Sequence, residues 1–121
     1  MTDERQRARL LLAERLLELA EHSSEAEMRS SFSRMYYAVY HVATALLGNM
    51  AHGEIPAALE GKEKGLGERF QRLLELRQGA DYDPDFAKRR FDGLDNFKVQ
   101  FPDEMESARS LYEHLLQMGK L

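Results

Sequence analysis

From residue 35 to residue 51 the chain carries no Asp, Glu, Lys or Arg, and this run limits what it can fold into more than any other stretch. The run follows Arg34 and holds three tyrosines, Tyr36, Tyr37 and Tyr40, and one histidine, His41. Each residue of an α-helix turns by ~100°, so positions seven apart point nearly the same way, about 10 Å further along the axis. Arg34 and His41 are seven apart, Tyr37 falls between them, and Ser30 lies four before Arg34, which makes one polar stripe. The other directions are filled by Phe32, Met35, Tyr36, Val39, Val42, Ala43, Leu46 and Leu47, more apolar circumference than a surface helix needs. The helix is therefore expected to be buried on most sides, and an aligned cation and imidazole on it need a polar cleft or a partner to face. The 17 uncharged residues approach membrane-spanning length, but His41, Thr44, Gly48, Asn49 and the charged approach favour a buried helix and no membrane.

The flanking sequence supplies helices to bury it. Asp3 is placed to cap a first helix over 3–22, with Leu10, Leu11, Leu16, Leu17 and Leu19 on its apolar side. Ser24 and Glu27 have capping-box spacing, so the central helix is expected to begin near Glu25 and to form a hairpin with the first. Gly48, Gly53, Pro56 and Gly61 predict a loop to about Gly67, with a turn of helix at 57–59. A third helix is expected over 66–78, capped by Gly79. A weaker fourth follows over 84–97, and Pro102 and Asp103 open a last one over 102–118. No segment alternates with period two. The expected fold is all-α, one up-and-down bundle of four to five helices over residues 1–121.

Composition narrows the chemistry. With no cysteine, disulfides and thiolate metal sites are excluded, which fits a cytoplasmic protein. The N-terminus MTDERQRAR has no signal-peptide pattern. Lys and Arg number 17 against 21 Asp and Glu, a net charge of −4, so any contact with nucleic acid has to be local. The four histidines, His22, His41, His52 and His114, are scattered, and neither a metal motif nor a phosphate-binding glycine loop is present, so no metal or cofactor is expected. Arg34 and His41 remain the plausible reactive pair.

The run SRMYYAVYH at 33–41, the His52-Gly53 dipeptide, and Arg77 followed by Asp81 and Tyr82 in RQGADY together resemble a HEPN domain of the small stand-alone prokaryotic kind. Its hallmark is arginine, four to six intervening residues, then histidine, and Arg34 and His41 enclose six. The resemblance spans about residues 8–116, with a poor match over 83–103. It implies a helical bundle that forms a homodimer, with arginine and histidine of both copies meeting in one cleft. It also implies either a metal-independent endoribonuclease, often a toxin paired with a minimal nucleotidyltransferase antitoxin, or a non-catalytic module that binds nucleotide or docks that partner.

The residue types suit RNA cleavage. Histidine, with an ordinary pKa near ~6.5, exchanges protons close to neutral pH, and the arginine fork matches phosphate oxygens. His41 is thus the acid or base and Arg34 the phosphate clamp. Tyr37 and Tyr40 are candidates to stack a base or orient the imidazole, Ser33 to add a phosphate hydrogen bond, and Asp81 to orient Arg34 or His41. Each has a structural alternative: His41 as an interface imidazole, Arg34 as an ion-pair partner of Glu27 or Asp81, the tyrosines as core aromatics, and Asp81 and Tyr82 as turn residues. Gly79 argues against an i,i+4 pair of Arg77 with Asp81, while Lys88, Arg89 and Arg90 read as a solvated face and His52 as non-catalytic.

Overall fold

The computed structural model describes Arg7, Leu11 and residues 24–120. The expected helix over 3–22 and its hairpin with the central helix lie outside the described residues, apart from Arg7 and Leu11, which are helical. Over residues 24–120 there are five α-helices and no strand: α1 (Glu25–Leu47), α2 (Ile55–Lys62), α3 (Leu66–Tyr82), α4 (Phe86–Phe91) and α5 (Leu94–Gly119). A single 3-10 turn, His52–Glu54, precedes α2. The all-helical expectation holds, and among the described residues no helix is long and apolar enough to cross a membrane.

The central helix is α1, packed against α5 on one flank and α3 on another. Met28, Phe32, Met35, Tyr36, Ala38, Val39, Val42 and Ala43 are buried along it, so the uncharged run does what its circumference demanded. Ser31, also buried, satisfies its hydroxyl by donating to the Glu27 carbonyl at 2.7 Å. The helix begins at Glu25 as expected, but without a capping box: the Ser24 side chain makes no capping bond, and its carbonyl takes the Met28 N–H at 2.7 Å. Gly48, at φ +94°, ends it.

Three expectations need correction. The segment between α1 and α3 is helical over Ile55–Lys62 rather than a loop with one turn, because Ile55 and Leu59 reach the core from its inner side. Gly67 lets α2 and α3 close up: a Cβ there would lie 2.4 Å from the Pro56 carbonyl oxygen. The third helix does not stop at Gly79 but runs to Tyr82. Gly79 serves a close approach instead, since a Cβ on it would meet the Phe86 ring at 2.9 Å. The helix ends where Asp83 turns extended, as the residue before Pro84 is pressed to do. Finally, the break expected at Pro102 falls at Asp92 and Gly93, both at positive φ, and Pro102 lies inside α5. Pro102 is on the exposed side, as is Lys98, whose carbonyl lacks its helical donor.

Two devices fix the ends. Glu60 caps α3 by accepting N–H bonds from Gly65 at 2.9 Å and Gly67 at 3.0 Å. Arg29, on α1, donates to the carbonyls of Ala80 at 3.0 Å, Pro84 at 3.2 Å and Asp83, and its guanidinium lies 5.7 Å from the Phe86 ring centroid. One side chain thereby bonds carbonyls at and just after the end of α3, of which Asp83's also takes the Phe86 N–H at 3.2 Å, and ties that end to α1.

Candidate functional site

The stripe on α1 is open where the rest of the helix is closed. Ser30 and Arg34 are exposed, Tyr37 is 37% exposed and His41 is half-buried, whereas Met35, Tyr36, Ala38 and Val42 between them are buried. Among the described residues Arg34 has neither an ion-pair nor a hydrogen-bond partner, so neither Glu27 nor Asp81 engages it. Ser33 is half-buried beside it. His41 stands edge-on to Tyr40, with ring centroids 5.7 Å apart.

Tyr40 joins this stripe to a second group of rings. One turn N-terminal, Tyr36 stacks with Tyr40 at 6.1 Å, as i,i+4 spacing requires. The 3-10 turn after α1 brings His52 back over both tyrosines. Its imidazole lies flat on Tyr40, 4.2 Å between centroids and 10° between planes, and 5.5 Å from the Tyr36 ring. The Tyr36 hydroxyl and His52 Nδ1 are 2.5 Å apart. Burial pushes the Tyr36 phenol up to about 12, with Arg77 opposing the shift and Tyr37 and Tyr40 adding to it. Tyr36 is therefore a neutral phenol in the physiological range, able to donate to Nδ1 and so to leave the proton on Nε2.

Arg77 enters from α3. Its guanidinium carbon lies 5.4 Å from the Tyr37 ring centroid, 5.7 Å from Tyr36 and 5.9 Å from Tyr82, and Nη2 donates to the Tyr37 hydroxyl at 3.3 Å. Because α3 continues through Gly79, Arg77 and Asp81 are one helical turn apart and pair, Nε to Oδ2, at 3.1 Å. The Nε–H is not aimed at that oxygen and has no hydrogen-bond acceptor, so the contact is an ion pair without a directed bond. Asp81 thus pairs with Arg77 rather than with Arg34.

The separate sequence fragments, 33–41, His52 and Arg77 with Asp81 and Tyr82, converge into one polar-aromatic cluster. By sequence His52 reads as a loop residue and Gly79 argues against pairing Arg77 with Asp81; in the fold His52 lies on Tyr40, and Arg77 pairs with Asp81 beside Tyr37. Spacing held the signal: Tyr36 with Tyr40, and Arg77 with Asp81, are each four apart. The basic run at 88–90 is exposed as expected, with Arg89 3.8 Å from Asp83 and 3.7 Å from Asp85. Among the described residues no three His, Cys, Asp or Glu side chains converge as a metal site requires. Compared with known proteins, the chain matches no family model, no curated protein and no solved structure.

Proposed function

We propose that this protein is a metal-independent endoribonuclease of the HEPN kind, a cytoplasmic homodimer that serves as the toxin-like partner of a minimal nucleotidyltransferase. The observation that carries the reading is the open stripe on α1, where Arg34, unpaired among the described residues, shares a face with Tyr37 and His41 on an otherwise buried helix. A guanidinium held on a rigid helix and not consumed by a carboxylate is available to a phosphate.

In this mechanism Arg34 grips the non-bridging oxygens of the scissile phosphate. His41 takes the proton from the 2′-OH as its oxygen bonds to phosphorus. The bond from phosphorus to the 5′-oxygen breaks, and the partner subunit's His41 gives that oxygen a proton. The products are a 2′,3′-cyclic phosphate and a 5′-hydroxyl. Purified protein is expected to cut RNA in the presence of EDTA. His41→Ala is expected to lower the rate by about 10²–10⁴-fold, the usual worth of a positioned acid or base, and Arg34→Ala to weaken both binding and turnover. Cutting that survives in both variants sinks the proposal.

The net charge of −4 favours a second reading, a module that binds nucleotide or docks the nucleotidyltransferase without turnover, since free RNA-cutting enzymes usually carry a positive field. In that case Arg34→Ala weakens nucleotide or partner binding, His41→Ala leaves it unchanged, and no RNA is cut.

A further inference from the structure

Tyr82 is out of place for a packing residue. It is the last residue of α3, 74% exposed, yet its ring is held 5.9 Å from the Arg77 guanidinium, which also contacts Tyr37 on the α1 stripe. Tyr82 also lines an open depression of about 660 Å³, together with Gln78, Asp83, Asp85 and Arg89. Arg89 faces both carboxylates, whose oxygens still offer acceptors to N–H groups. An aromatic ring reaching solvent, backed by a guanidinium, beside hydrogen-bond acceptors, suits a flat ring that carries an amino group.

We infer that Tyr82, backed by Arg77, is a stacking subsite for a nucleobase, and that the Asp83–Asp85 side selects a base with an exocyclic amino group over uracil. This rests on the proposed function and extends it: Arg34 holds a phosphate, and the Tyr37–Arg77–Tyr82 line carries a neighbouring base of single-stranded RNA away from it.

The test uses the full chain and 2′-O-methyl octamers, which bind but lack the attacking hydroxyl: oligo(A), oligo(U) and an abasic strand, followed by fluorescence anisotropy. Wild type is expected to bind oligo(A) more tightly than oligo(U), and both more tightly than the abasic strand. Tyr82→Ala, at a surface position that leaves the core intact, is expected to lose about ten-fold in oligo(A) affinity, with Tyr82→Trp retaining it. Equal binding of the abasic strand and oligo(A), wild-type affinity in Tyr82→Ala, or no binding by wild type overturns the inference, and equal binding of oligo(A) and oligo(U) overturns its amino-group part. A Tyr82→Ala protein that changes oligomeric state also overturns it, because the ring then belongs to an interface between copies. Cleavage of unmodified RNA in EDTA, run alongside, separates the two claims: cleavage unaffected by Tyr82→Ala removes the subsite alone, whereas base-dependent binding without cleavage removes the nuclease and leaves the subsite standing.

Discussion

Along α1, two neighbouring turns put aromatic rings to opposite uses. At Phe32 the helix meets Phe86, Phe97 and Phe101 at centroid distances of 5.8, 6.1 and 5.5 Å, and Phe91 completes the group 5.0 Å from Phe97. All five rings are buried and none carries a polar atom. One turn later Tyr36, Tyr37 and Tyr40 pack at similar distances, 5.5 to 6.2 Å, yet they surround an imidazole and a guanidinium, and two of the three reach solvent. Ring geometry is thus nearly the same in both groups. What differs is the hydroxyl at each ring tip: those of Tyr36 and Tyr37 bond His52 and Arg77, whereas Arg29, over the first group, finds its partners in backbone carbonyls.

Truncating the dry group is expected to have the largest effect on stability. Phe32→Ala removes a fully buried ring that touches three others, and should cost about 3–5 kcal/mol in urea unfolding. Tyr37→Ala, at a partly exposed ring, should cost well under half as much. Equal losses would mean that the tyrosine group is core like the other, and the distinction between them would fail.

The arginines sharpen the contrast at the next level down. Each group has one guanidinium over its rings, but Arg29 spends its donors on three backbone carbonyls, whereas Arg77 has one ion pair, one long bond to Tyr37 and an Nε without an acceptor. Arg29→Met takes the donor from the Ala80 and Pro84 carbonyls, while that of Asp83 keeps the Phe86 N–H, and should cost about 1–3 kcal/mol. Arg77→Met keeps the stem packed and should cost less, while weakening oligonucleotide binding. The reverse ranking would make Arg77 the structural residue and Arg29 the candidate for ligand contact.

How far the sequence reveals this depends on the range of the physics involved. The open stripe is a matter of periodicity on one helix, so Ser30, Arg34, Tyr37 and His41 were placed together from spacing alone. The all-α class and the start of α1 were legible for the same reason. Glycine and proline misled, because their role depends on what approaches from far along the chain. Gly79 looks like a helix stop until Phe86 is known to lie against it, and Pro102 looks like a helix start until its exposed side is known. Arg29 gave no local sign of binding carbonyls more than fifty residues away, and His52 none of lying on Tyr40. Contacts that depend on tertiary structure were the illegible part, and they make up most of the second aromatic group.

The smallest expected effect tests whether that group is held together by a buried phenol. Tyr36 has its pKa raised from 10.0 to about 12, chiefly by burial, so the folded protein holds that proton where the unfolded chain has begun to release it. A raised folded-state pKa contributes stability that is fully present below pH 10 and is lost as pH rises through about 12. Tyr36→Phe removes the titration. The stability difference between wild type and variant should therefore be flat below pH 10, at about 0.5–1.5 kcal/mol for the lost bond to His52. It should then shrink above pH 10 and reverse sign before pH 12, because a shift of this size outweighs one hydrogen bond. Apart from Tyr37 and Tyr40, which couple to Tyr36, other groups that titrate in alkali are common to both proteins and cancel in the difference. A gap that stays constant across this window would mean that the phenol is as free to ionise in the fold as out of it. The tyrosine group would then be a wetter, looser assembly than the phenylalanine group beside it.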